Sequence, residues 1–191
     1  MKIFSTFCFS VLLLFSSTVI SAADFEAALS SETAQFKLRS DSSVIGWGGA
    51  DLALSFFYND NDDFLFSTSL VQMGQPSEAN PLTLGPGIKA YLLSLDDVDD
   101  ESAALAIGGV ARYTIPGKMP MHAYLEVYLA PEITSFAGAE GLIDYSIGFQ
   151  IEALPQTVLF AGVRHLEVDH ENDGDYELDD DRVHLGIRLT F

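Results

Sequence analysis

The chain predicts an all-β fold, a closed antiparallel transmembrane β-barrel of ten strands, on three observations. The last ten residues alternate without a break: Val183, Leu185, Ile187, Leu189 and Phe191 fall on one face, and Arg182, His184, Gly186, Arg188 and Thr190 on the other. Apolar residues make up 48% of the chain, yet no stretch after Ile20 is long and apolar enough for a membrane helix. That is expected when apolar side chains meet lipid on alternate positions of strands. Turn chemistry then cuts the chain into segments close to the ~9–11 residues that a tilted strand needs to cross a bilayer. Lipid offers the backbone no hydrogen-bond partners, so a spanning sheet must close on itself.

The elements follow in order. Residues 1–23 read as a secretory signal: Lys2, an apolar run to Phe15, and the small residues Ser21-Ala-Ala23 where a peptidase would cut. Residues 24–191 then form one barrel domain. Its only upstream cysteine, Cys8, goes with the signal, so disulfides and thiolate metal sites are excluded. In 25–39 the apolar phase switches from odd (Phe25, Ala27, Leu29) to even (Ala34, Phe36, Leu38). A hairpin at Ser30-Ser-Glu-Thr33 explains the switch and adds two short strands, for ten in all. The alternative is eight strands behind a periplasmic N-terminal segment. Further strands are expected at 47–58, 64–74, 82–95, 103–115, 121–130, 141–153, 157–168 and 182–191. With a periplasmic C-terminus, links at 75–81, 116–120 and 154–157 are periplasmic, and links at 59–63, 96–102, 131–140 and 169–181 face outward. Trp47, Phe57, Tyr58, Phe64, Tyr113 and Phe191 lie near strand ends, as in an interfacial aromatic girdle.

Three features concern location and partners. Phe191, with Leu189, Ile187 and Gly186, forms a terminal assembly signal of the kind that barrel-assembly machinery and periplasmic chaperones read. Location is therefore expected in a bacterial outer membrane, against lipid and lipopolysaccharide. Without residues 1–23 the chain has 8 bases against 28 acids, a formal charge of −20, which argues against nucleic acid.

The plan of the chain resembles the YfaZ family of small gammaproteobacterial outer-membrane proteins. The resemblance is carried by Gly48-Gly-Ala-Asp51, the Tyr58-Asn-Asp-Asn-Asp-Asp63 turn and the Gly186-Ile-Arg-Leu-Thr-Phe191 ending. It implies an outer-membrane barrel and supplies no activity or catalytic residues.

Candidate sites lie in the loops and the lumen. The four outward links carry eighteen acids and no Lys or Arg, a rim able to attract Ca²⁺ or Mg²⁺ and bridge to lipopolysaccharide phosphates. Within 169–181, Asp169, Glu171, Asp173, Asp175, Glu177 and Asp180 can be laid on the ligand positions of a twelve-residue calcium loop, with Gly174 at the turn. Glu171 and the short final ligand Asp180 depart from that pattern, and strands flank the loop. A solvated acidic surface explains the same residues. No tightly bound cofactor is expected. The inward phase collects Asp51, Lys89, Arg112, His122, Tyr124, Glu126, Tyr128, Asp144, Gln150, Glu152, His184 and Arg188, with Arg164 or His165 undecided. These read as a salt-bridged plug or as a narrow path for ions or small solutes. An outer-rim hydrolase using Asp169 and His170 is a further alternative, although the expectation is of no enzyme.

Overall fold

The computed structural model describes residues 23–46, 48–75, 80–95, 100–117, 119–170 and 174–191. The expected signal up to residue 22, and Trp47, lie outside them. The described residues form ten barrel strands: β1 (Ala23–Leu29), β2 (Thr33–Asp41), β3 (Asp51–Asn59), β4 (Phe64–Val71), β5 (Leu82–Leu95), β6 (Asp100–Ile115), β7 (Met121–Ala130), β8 (Ala139–Leu154), β9 (Thr157–His170) and β10 (Gly174–Thr190). Each pairs antiparallel with the next. β1 also pairs with β10, with Phe25 opposite Leu189 and Leu29 opposite Leu185, and this closes the sheet. Closure leaves no strand edge unpaired. The eight-strand alternative is therefore excluded. At Ser30 the phase switch is a tight turn, with the Ser30 amide donating to the Thr33 carbonyl (2.9 Å) and the Thr33 amide to the Ser30 hydroxyl (3.0 Å).

Alternation decides the facing. Phe25, Phe36, Phe66, Leu84, Ile88, Leu92, Ile107, Leu125, Ile147, Leu159, Leu185 and Ile187 are exposed outside. This belt of apolar side chains has no water-soluble counterpart unless lipid covers it. Tyr58 and Phe64 pack at a tilt at one end (5.0 Å between ring centroids), and Tyr113 and Phe191 are exposed near the other. Phe57 departs from the expected girdle: it points inward and is 1% exposed. Its neighbour Phe56 takes the outward phase, and adjacent strand residues cannot share a face.

The two ends differ. At the end that holds Ala23 and Phe191, the termini of the described barrel, residues 42–46 and 48–50 form turns instead of the start of a strand. Gly46 and Gly49 there have left-handed backbones (φ 86° and 93°). The Asp41 carboxylate accepts from the amides of Ser43 (2.8 Å) and Gly49 (3.3 Å). At the opposite end, the loop end, β8 and β10 run to 16 and 17 residues, longer than a bilayer requires. The expected loops 96–102, 131–140 and 169–181 are thus partly ladder: Asp169 faces Asp175 and Glu167 faces Glu177 across β9 and β10. Register shifts beside Leu166 and a left-handed Asp181 (φ 44°) bend this hairpin, as bulges do.

The bend brings the hairpin over the barrel mouth. The Tyr176 hydroxyl donates to the Asp63 carboxylate (2.9 Å), and the Asn59 amide to the Leu178 carbonyl (3.3 Å). Beneath these contacts the loop half of the interior is mainly apolar, with Asn59, Asp63, Ser102, His170 and Asp179 buried at its edge. Phe57, Leu65, Tyr91, Leu93, Leu95, Tyr128, Leu142, Leu166, Val168 and Leu178 pack into one buried cluster.

Candidate functional site

The other half of the interior is polar and holds a narrow cavity open to solvent, about 570 Å³ when the space that runs out into solvent is counted. The site is built strand by strand from the inward phase. β1 contributes Glu26, β2 Gln35, Lys37 and Arg39, and β5 Lys89. Arg112 comes from β6, Tyr124 and Glu126 from β7, Asp144, Ser146 and Gln150 from β8, Phe160 and Arg164 from β9, and His184 and Arg188 from β10. A second space of about 380 Å³ adjoins it and shares Lys37, Arg39, Arg112 and Glu126, adding Asp51 and Ser69.

Three carboxylates organise five bases. Glu26 accepts from Arg188 Nε (2.9 Å), and the same carboxylate oxygen lies 2.8 Å from Arg188 Nη2 and 3.4 Å from Arg39 Nη2. Glu126 sits between Lys37 (3.8 Å) and Lys89 (3.7 Å). Asp144 accepts from Lys89 Nζ and the Tyr91 hydroxyl, both at 2.7 Å, and from Arg164 Nε at 3.3 Å. Arg164 also lies over the Phe57 ring (4.8 Å), so the ion cluster abuts the apolar fill. Buried charges are tolerable only when paired in this way.

Aromatic rings lie against glycines on the inner wall. A Cβ at Gly186 would collide with the Phe160 ring, and one at Gly108 with Tyr128 and the β7 backbone. Glycine lets a ring lie flat on the neighbouring strand, which pins register and leaves the centre of the cavity open.

The structure places each candidate as follows. Lys89, Arg112, Glu126, Asp144 and Arg188 line the main cavity and Asp51 the adjoining one. His122 and Glu152 lie 3.8 Å apart outside both linings, and His122 Nδ1 is 3.2 Å from the Thr114 hydroxyl. Of the undecided pair, Arg164 faces inward. His165 lies outside the cavity, stacked on Tyr145 (5.0 Å) and 3.3 Å from Glu167. Sequence reasoning missed Glu26, Gln35, Lys37 and Arg39. Their signal was present, since they occupy the polar phase of two strands whose apolar phases it had recognised.

The expected Asp169–His170 pair is not brought together. The two are consecutive strand residues, with Asp169 exposed and His170 buried inside, its Nε2 3.5 Å from the Ser102 hydroxyl. Of the six calcium candidates, Asp169, Asp175, Glu177 and Asp180 fall on the two paired strands of a hairpin. Glu171 and Asp173 lie outside the described residues. Among the described residues no group of three or more metal-ligating side chains could hold a metal ion. Gly186, Ile187 and Leu189 pair with β1, and the Phe191 amide donates to the Ala23 carbonyl (3.0 Å). The residues of the expected assembly signal thus take part in closing the barrel.

No protein-family model matches the sequence, and no curated protein matches it. Among solved structures the chain is similar to the outer membrane channel DcaP of Acinetobacter baumannii, at 14% identity over 87% of this chain and 54% of that one, with a TM-score of 0.40. It is also similar to the KdgM porin, solved in complex with disordered oligogalacturonate, at 8% identity over 90% and 99% of the two chains, with a TM-score of 0.46. The chain spans about half the length of DcaP. These likenesses concern the fold. With its closed ladder and apolar belt, the chain is a membrane-spanning β-barrel.

Proposed function

We propose that the protein is an integral outer-membrane barrel with a structural or surface role, closed to through-flow, whose polar interior opens only at the end bearing the termini. That end is periplasmic, since the acid-rich hairpins that overshoot the belt suit the outer surface. The resemblance to the YfaZ family supports the same placement. The single observation that carries the reading is the apolar fill of the loop half, from Phe57 and Leu65 across to Leu166 and Val168. A tightly packed, mainly apolar layer offers water and ions few polar partners, and the polar groups buried at its edge, Asn59, Asp63, Ser102 and His170, lie within hydrogen-bond reach of one another or of the backbone. The acidic hairpins meet lipopolysaccharide at the outer rim through divalent cations.

Planar-bilayer recording on the refolded chain tests this. The expected result is a silent bilayer, and brief openings when Tyr176→Phe and Leu178→Ser loosen the hairpin. A steady ohmic conductance from the unaltered chain would overturn the closed reading in favour of a narrow channel. That second reading rests on the depth of the cavity, which reaches Asp144 and Arg164 beside the fill.

A further inference from the structure

We infer that the cavity is a binding site for a small water-soluble oxyanion, a phosphate- or carboxylate-bearing solute that enters from the end bearing the termini, with Arg112 as its primary contact. The inference uses the polar cavity described above and does not depend on whether the barrel conducts.

The charge distribution is the first ground. Residues 24–191 contain eight Lys and Arg, and six of them line the two connected spaces: Lys37, Arg39, Lys89, Arg112, Arg164 and Arg188. Four carboxylates accompany them, Glu26, Asp51, Glu126 and Asp144. The remainder of those residues carries 24 acids and two bases. A barrel that needed only to neutralise buried carboxylates could do so with four bases. The surplus is positive inside a protein that is otherwise strongly negative, and low-dielectric walls focus such a field.

The pairing pattern is the second ground. Five of the six bases have a carboxylate within 4 Å, whereas Arg112 has none among the described residues. Arg112 lines both spaces, so it stands at their junction together with Lys37, Arg39 and the carboxylate Glu126, which the two lysines Lys37 and Lys89 already flank. The buried polar atoms of these basic side chains that lack a partner are Arg39 Nε, Arg112 Nε, Arg164 Nη1 and Arg164 Nη2. All four are donors, so what the site lacks is acceptors. A planar guanidinium presents a fork that fits the paired oxygens of a carboxylate or phosphate. A cation would find no vacant acceptor of comparable burial there, and an uncharged solute would leave the surplus charge unanswered.

Titration calorimetry tests the inference on the full mature chain refolded in zwitterionic detergent, in ~0.15 M NaCl so that diffuse attraction is screened. Inorganic phosphate and succinate are the probes, and choline is the cationic control. At least one anion should bind at one saturable site, and choline should not. Arg112→Gln should weaken binding roughly tenfold or more, as expected for loss of a charge-assisted contact. Arg112→Lys should recover part of it, which a merely structural role would not explain. Asp51→Asn, which removes a competing carboxylate without touching Arg112, should tighten binding. Heat-modifiable gel migration identifies folded variants. Absence of saturable heat with both anions up to ~10 mM, where a 1 mM site would be mostly filled, would overturn the inference. So would equal affinity in a folded Arg112→Gln variant. Conductance and anion binding are separate readouts, so a conducting barrel that binds phosphate refutes only the closed reading.

Discussion

Replacing Asp144 with alanine is the sharpest test of how the interior is held together. The carboxylate is 4% exposed and accepts three hydrogen bonds, from Lys89 (2.7 Å), Tyr91 (2.7 Å) and Arg164 (3.3 Å). Breaking a buried pair by removing one partner costs about 3–5 kcal/mol, because a charge is left uncompensated. Here two bases lose their acceptor, but not equally. Lys89 keeps Glu126 at 3.7 Å and the Tyr91 and Tyr128 rings near 5 Å. Arg164 keeps the Phe57 ring, with Nη1 and Nη2 already lacking partners. The expected loss is therefore at the lower end, about 3 kcal/mol. Adding Lys89→Met removes one stranded charge and should return about 1–2 kcal/mol, a coupling proper to residues in one network. Reversible urea unfolding in phospholipid vesicles, followed by gel migration, measures both. A loss below about 1 kcal/mol with no coupling would show that water solvates the cluster, and the account of a buried network beside a dry fill would fail.

Three further outcomes follow from the same geometry. Leu125 is outward-facing and Glu126 inward, so Leu125→Arg should cost about 2–4 kcal/mol in lipid; a lipid-restricted thiol reagent should label a cysteine at 125 and spare one at 126, and the reverse pattern would mean a one-residue slip. Gly186→Ala drives a Cβ into the Phe160 ring and against the Ala27 carbonyl and should destabilise by about 1–3 kcal/mol, with Phe160→Leu restoring only the part due to the ring in the double variant. Deleting Phe191 removes an exposed interfacial ring and the amide bond to Ala23, and should lower the amount of folded barrel in outer-membrane fractions; unchanged levels would dissociate the last residue from assembly.

The fold was legible because period-two patterning needs no tertiary information. The phase switch between Leu29 and Ala34 carried the tenth strand, since a strand cannot exchange faces without a turn or bulge. Strand ends were less legible. Acid-rich stretches such as 169–181 resemble loops by composition, but a ladder pairs backbones and is indifferent to charged side chains that reach solvent. The split between Arg164 and His165 was ambiguous because both phases are polar there. His165 stands above the apolar belt, where the outward face no longer has to meet lipid. In the lumen, Glu26, Lys37 and Arg39 lie on two short strands either side of a hairpin, where only the apolar phase is diagnostic of facing. They add two bases against one acid, which makes the lined interior positive.

The apolar fill also leaves a mark in the sequence, visible once its cause is known. A strand with lipid on one side and water on the other alternates strictly, as 182–191 does. Where both faces must be apolar, alternation breaks into doublets and runs. Phe56-Phe57, Phe64-Leu65-Phe66 and Leu92-Leu93 are such breaks; each doublet supplies one outward and one buried side chain, and the triplet two outward rings around the buried Leu65. They cluster toward the loop end of β3, β4 and β5, while the opposite ends of β1, β2 and β10 keep clean alternation with charges inside. The position at which alternation fails along each strand therefore maps the depth at which a polar interior gives way to a dry one. On that measure the boundary in this barrel lies at the level of Asp144 and Arg164, where the last ion cluster meets the Phe57 ring.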